Sequence, residues 1–120
     1  MANNKPFKIK NGLSAKRYLQ SGGALAATNI DISSGSYFTK TLSANTTFTF
    51  SNPPPSGFAA SFVLEVTGAS TYTITWPSSV KWHGGSTPDV PASGTTNLYV
   101  FLTTDSGTTY YGKLAGELLS

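Results

Sequence analysis

The chain has 120 residues, of which 38% are apolar and 11% charged, with twelve glycines, seven prolines, one histidine and no cysteine. This length allows one domain with one core, and the missing cysteines exclude a disulfide framework, a thiolate metal site and cysteine catalysis. No apolar run approaches the ~20 residues that cross a bilayer, and the N-terminus lacks the apolar stretch of a secretion signal. We expect a soluble protein, made in a cytoplasm and stabilised by packing or by neighbouring subunits.

The positive charge is concentrated near the N-terminus. Five of the eight cations lie within the first 17 residues, and no acid precedes Asp31. Residues 18–120 carry three cations against five acids, so this part of the chain has a net charge of −2. The sequence therefore separates a basic arm from a mildly acidic body.

Residues 1–27 predict an extended basic arm, because Pro and Gly interrupt scattered apolar residues and no period is sustained. Three interpretations are open: a solvated tail, a nucleic-acid tether, or a clamp that lies on a partner protein. A tether is normally accompanied by a basic face on the body, which here is net negative. The apolar residues between the charges favour the clamp, whose predicted contact residues are Lys5, Phe7, Lys8, Ile9, Lys10, Leu13, Lys16, Arg17, Tyr18 and Leu19.

Short β-runs separated by turn clusters begin at residue 28. Alternation of apolar and polar residues indicates strands with one buried face, and the predicted strands are residues 28–32, 36–42, 46–51, 58–67, 71–76, 80–82, 96–103 and 108–114. So many strands in a short chain indicate two packed sheets, and the close turns favour antiparallel pairing. We predict an all-β antiparallel sandwich of jelly-roll type over residues 28–116, followed by a tail at 117–120; a β-barrel is the alternative.

The predicted core consists of the inward side chains of these strands. Its members are Phe58, Ala60, Phe62, Leu64 and Val66 of the longest strand, joined by Phe48, Phe50, Ile74, Leu98, Val100 and Leu102.

Catalytic and ligand-binding chemistry has little support in the sequence. His83 is the only histidine, and Asp105 and Asp89 lie in predicted turns or loops, where aspartate commonly bonds its own backbone. One histidine and two aspartates on separate loops do not form a recognised metal-ligand spacing, and the two Gly-Gly pairs are too short for a phosphate cradle. We therefore predict no catalytic residue, no cofactor and no metal site.

The most distinctive stretch is residues 76–83, which contains two tryptophans six positions apart around a proline. Exposed Trp76, Trp82 and Tyr99 would be able to stack on sugar rings, and with His83 they form a candidate contact for a glycan or a partner. Tryptophan at a strand end is more often half-buried packing, and this interpretation is favoured.

Several motifs between residues 48 and 116 resemble a small β-domain that recurs in structural proteins of tailed-phage virions. The motifs are FTFSNPP at 48–54, FVLE at 62–65, YTITWP at 72–77, VKWHGG at 80–85 and TTDSGTTYYG at 103–112, and the opening IKNGL at 9–13 is also similar to N-terminal segments of those proteins. Such domains occur at the ends of tail fibres and as separate proteins on the head surface. The resembling residues are strand ends, prolines and turns, so the resemblance implies fold and virion membership without any catalytic set.

The length of the predicted arm helps to decide between the tail fibre and the head surface. A fibre subunit normally needs a long shaft, and nothing fibrous follows residue 27, whereas an extended arm of this length spans roughly 80 to 95 Å, enough to cross between capsid subunits. We expect a non-enzymatic capsid decoration or cement protein on the head exterior, whose arm bridges subunits of the major capsid protein. It would form a homo-oligomer, with a trimer slightly favoured, and would bind neither nucleic acid nor membrane. The alternative is a tail-fibre tip or knob adhesin for host glycans; a host-derived carbohydrate-binding module ranks last.

Overall fold

The structure is a computed structural model that describes residues 9–120. These residues form ten strands and a single 3-10 turn at His83–Gly85, and they include no helix long and apolar enough to cross a membrane. The strands are β1 (Gly22–Ala24), β2 (Asn29–Asp31), β3 (Tyr37–Thr41), β4 (Thr46–Thr47), β5 (Thr49–Ser51), β6 (Ala60–Thr67), β7 (Ile74–Thr75), β8 (Val80–Trp82), β9 (Thr96–Thr103) and β10 (Tyr110–Leu119).

The strands form two layers around one core. One layer is a six-stranded main sheet in the order β1-β3-β6-β9-β10-β8, and the other consists of two short sheets, β2-β5 and β4-β7. Apolar side chains from the short sheets, including Ile30, Phe48 and Phe50, pack in one cluster with those of β6 and β9. The predicted all-β sandwich is confirmed.

The expected antiparallel pairing applies only to the centre of the main sheet. The pairs β6–β9 and β9–β10 are antiparallel, whereas β1–β3, β3–β6 and β10–β8 are parallel, as are both short sheets. The cause is the winding of the chain: after β1 it forms β2 in the opposite layer before β3, and after β3 it forms β4 and β5 there before β6. Each return to the main sheet therefore runs in the same direction as the preceding strand, which gives a mixed sheet in place of the predicted antiparallel one.

Several predicted boundaries need correction. The predicted strand 46–51 is divided at Phe48 into β4 and β5. The Phe48 amide donates to the Thr75 carbonyl of the β4–β7 sheet, whereas the Thr49 amide donates to the Thr28 carbonyl, next to the β2–β5 sheet. Residues 22–24, assigned to the arm, form β1 in the main sheet, and residues 117–119, assigned to a tail, belong to β10. The turn at residues 104–109 does join β9 and β10 as a hairpin, as the sequence predicts.

Aromatic rings fill the space between the layers. The Phe50 ring of β5 meets Phe62, Phe101 and Tyr110 of the main sheet edge-on, with centroids 5.2, 5.1 and 4.8 Å away. Phe62 and Phe101 stack on each other at 5.1 Å. Such pairs contribute about 0.5–1.5 kcal/mol beyond the area they bury, so this cluster is a main source of stability for a chain without disulfides.

Strand β9 buries the face opposite to the predicted one. Tyr99 and Phe101 are fully buried, whereas Leu102, predicted to point inward, is 37% exposed; Leu98 and Val100 share its face and are partly exposed. Both alternating sets of this strand are apolar, so periodicity alone does not choose between them. The aromatic set has the larger volume and fills the space beneath the short sheets.

Phe58 is a second core prediction that is wrong, since its side chain is 63% exposed and lies before β6 begins. Phe62, four residues further along the chain, is 2% exposed. The alternating pattern was extended two residues too far, into a turn that starts at Pro55, whose carbonyl accepts the Phe58 amide.

These two phenylalanines give a matched test of the core. We expect Phe62→Ala to lower the free energy of unfolding by about 3–5 kcal/mol, because it leaves a cavity among the packed rings. Phe58→Ala removes the same atoms from an exposed position and should change stability by about 0.5 kcal/mol or less. Urea denaturation of both variants measures the difference, and equal losses would contradict the assigned core.

Candidate functional site

The first described part of the predicted arm, residues 9–20, lies on the surface. Every residue from 9 to 20 is exposed, and the side chains of Ile9, Leu13, Tyr18 and Leu19 are 44%, 63%, 73% and 75% exposed. Lys10, Lys16 and Arg17 are exposed beside them. The remaining predicted contacts, Lys5, Phe7 and Lys8, lie outside the described residues.

The arm joins the body at a defined point on the edge of the main sheet. The Ser21 carbonyl accepts a hydrogen bond from the Ser36 amide at 2.7 Å, and the Leu25 amide donates to the Thr39 carbonyl at 2.9 Å. Between these bonds β1 pairs in parallel with β3, with Gly22 opposite Tyr37. The arm is therefore anchored at residues 21–25. Just before them, residues 18–20 approach the body and line an open pocket with residues 33–36, although their side chains stay exposed.

This junction depends on glycine. A Cβ atom on Gly22 would overlap the Tyr37 carbonyl oxygen, and one on Gly35 would overlap the Ser21 carbonyl oxygen. Both overlaps involve backbone atoms, which cannot rotate away. Gly22 and Gly35 thus permit the close approach of the two chain segments.

The proposed aromatic contact is largely internal. Tyr99 has no exposed surface, so its assignment to glycan or partner contact is wrong. Trp76 stacks on Phe48 with centroids 5.2 Å apart and meets Trp82 edge-on at the same separation, and both tryptophans pack against the core. Only His83 of the four predicted residues is exposed, in the 3-10 turn.

Tyr99 is held by a small polar network at the end of the sheet. Its hydroxyl donates to the Asp89 carbonyl at 3.2 Å and accepts from the Asn97 amide nitrogen at 3.3 Å. Burial raises the pKa of Tyr99, so the hydroxyl keeps its proton and its donor role. The Asn97 carboxamide oxygen accepts from the Leu118 amide at 3.3 Å and ties down the end of β10.

Asp105 and Asp31 stabilise turns by accepting hydrogen bonds from nearby residues. The Asp105 carboxylate accepts the Thr109 amide at 2.8 Å and the Thr103 hydroxyl at 3.2 Å, and the backbone bond from Thr109 lowers its pKa below the ordinary 3.8. Asp31 accepts from the hydroxyl and amide of Ser33, and these bonds lower its pKa too. Within residues 9–120 no three His, Cys, Asp or Glu side chains are grouped to hold a metal ion.

The sequence missed a surface on the solvent side of the main sheet, here called the outer face. Along each strand its side chains alternate with the buried ones. Val100 of β9 lies between Val63 of β6 and Lys113 of β10, and Leu102 of β9 lies opposite Tyr111 of β10. An open groove of about 540 Å³ runs along this face, lined by Lys81, Trp82, His83, Val100, Phe101, Leu102, Tyr111, Gly112, Lys113 and Ala115. The doubly apolar pattern of β9 was the signal that could have located it.

The described surface therefore offers two regions to a partner, the free arm and the outer-face groove. No family model, curated protein or solved structure matches the chain.

The arm junction can be tested by crowding it. Gly22→Val should separate β1 from β3, because its side chain would meet the Tyr37 carbonyl. Hydrogen–deuterium exchange of the Leu25 amide should then accelerate at least tenfold. Ala24→Val, at an exposed position of the same strand, should leave the rate unchanged; equal acceleration in both variants would contradict the close approach.

The Asp105 turn predicts a specific pH dependence. Since the folded pKa is lowered, the ionised carboxylate stabilises the fold above pH 3.8, and this contribution is lost as the pH falls through the lowered pKa. Asp105→Asn should therefore have a lower Tm than the parent at pH 7, with a difference that shrinks below pH 3.8. Asp89→Asn, which leaves the backbone carbonyl in place, is the control. A difference that stays constant at low pH would contradict the assignment.

Proposed function

We propose that this chain is a non-enzymatic structural protein of a phage virion, a capsid decoration or cement protein. It binds the head exterior, and its N-terminal arm runs along subunits of the major capsid protein and bridges them. The motif resemblance described above suggests the class of particle, and the arm suggests the mode of attachment.

The exposure of the arm is the observation that carries this proposal. Between residues 9 and 20 it presents apolar side chains to water. Exposed Leu13, Tyr18 and Leu19 gain free energy if another protein covers them, about 1.5–3 kcal/mol for each large side chain fully buried. The interleaved Lys10, Lys16 and Arg17 steer the arm towards acidic patches.

The anchoring of the arm supports the same function. A clamp transmits load only if it is attached firmly to its body, and β1 joins the arm to the main sheet by strand pairing at residues 22–24. The aromatic core lies elsewhere, on the inner side of the sheet. The arm is thus available for a partner while the body keeps its own packing.

The adhesin alternative has less support. It needs aromatic rings on exposed loops, whereas Tyr99 is buried and both tryptophans pack inward. Self-association into a symmetric oligomer, with a trimer as the first candidate, remains part of the proposal because decoration proteins occupy symmetric lattices.

Binding to phage heads that lack the protein tests the proposal. Leu13→Ala with Tyr18→Ala should weaken binding at least tenfold, because two apolar contacts are lost. Lys10→Ala with Lys16→Ala should weaken it less, and mainly at low salt. Cosedimentation at two salt concentrations measures both.

Deletion of residues 2–20 is the decisive variant. We expect it to abolish head binding while the Tm of the body is unchanged, since residues 9–20 are exposed and contribute nothing to the core. If the truncated chain decorated heads as tightly as the full chain, or if the protein were found only on tails, the proposal would be wrong. A variant with a lowered Tm would be replaced by the Leu13 and Tyr18 pair.

A further inference from the structure

The outer face carries an apolar patch that the second layer does not cover. Both short sheets pack on the inner side of the main sheet. On the outer side Leu102 and Tyr111 are 37% and 57% exposed. Ser61 and Glu65 of β6 lie on the same face, so the patch is confined to its β9–β10 side. Exposed apolar residues that are grouped in this way point to a partner.

The charges at the groove restrict the chemistry of that partner. Its lining includes Lys81, Lys113 and His83 and no carboxylate. Lys81 of β8 lies opposite Tyr111 of β10, and Lys113 follows Tyr111 by two residues in β10. Both ammonium groups therefore flank the apolar floor of the groove. Two acids flank the lining without being part of it: Glu65 pairs with Leu98, and Glu117 is exposed on β10 two residues beyond Ala115.

The shape of the groove favours an extended segment. Its lining extends from Lys81 on β8 across Tyr111 to Leu102 on β9, and it reaches Ala115 on β10. Strand β8 pairs with β10 only from Tyr110 to Gly112, and the His83–Gly85 turn that follows β8 also contacts β10. An extended segment that lies in the groove would place alternate side chains against the apolar floor.

We infer that this groove binds an extended, acidic segment of a partner protein, with apolar side chains on Val100, Leu102 and Tyr111 and carboxylates at Lys81 and Lys113. The arm of a second copy fits poorly, because Lys10, Lys16 and Arg17 would face the two lysines. Nucleic acid also fits poorly, since residues 18–120 are net negative. The inference goes beyond the arm-mediated attachment and does not depend on it.

Peptide titration of the isotope-labelled full chain, followed by NMR, tests this site. The probe is a short peptide of alternating valine and threonine with aspartates at both ends, and its matched control has lysines in place of the aspartates. We expect the acidic peptide to shift the amide signals of Lys113 and Ala115, and to bind about tenfold more tightly than the basic one.

Charge reversal is the second part of the test. Lys81→Glu with Lys113→Glu should reverse the preference between the two peptides, whereas Lys40→Glu on β3, outside the lining, should leave it unchanged. Equal binding of both peptides, no shifts at either, or stronger shifts with oligothymidine would overturn the inference. Shifts that grow with protein concentration alone would assign the face to a second copy instead. The Lys81 and Lys113 variant keeps the arm intact, so its binding to heads reports on the arm separately from this groove.

Discussion

The aromatic layer between the main sheet and the two short sheets is the interaction on which the rest of the structure depends. Each short sheet has only two strands, which are not stable alone in water. Phe50 holds one of them by packing on Phe62 and Phe101 of the main sheet. Trp76, which stacks on Phe48, holds the other by packing on Tyr99 and Phe101. The chain has no cysteine, so this packing takes the place of covalent links. It also fixes which face of β9 points inward.

That choice of face has a consequence for function. Because Tyr99 and Phe101 fill the interior, Leu98, Val100 and Leu102 are placed on the outer face. The same rings pack against both tryptophans, which are partly buried. The interior thus determines two surface properties: apolar residues of β9 line the groove, and the rings of Tyr99, Trp76 and Trp82 are wholly or partly withdrawn from the surface. The arm is independent of this layer, since it joins the sheet at its far edge through β1.

The sequence predicts the fold class well and the strand partners less well. Alternation in β3, β6 and β8 identifies their positions, and the Asp105 turn identifies the β9–β10 hairpin, because these signals are local. The direction in which two strands pair depends on whether the chain forms a strand in the opposite layer between them. The alternation of apolar and polar residues carries no information on this. β1 was missed because Gly22 and Gly23 have no side chains to alternate. In β9 both faces are apolar, and only the volume of the interior decides between them.

The central claim is that the arm becomes ordered on another protein. Hydrogen–deuterium exchange of the amides from residue 9 to residue 20, in the free protein and on phage heads, tests it most directly. The account predicts fast exchange of these amides in the free protein and strong protection once it is bound to heads. The β6 and β9 amides should be protected in both states. Protection of the arm in the free protein, or fast exchange of the arm on fully decorated heads, would contradict the account.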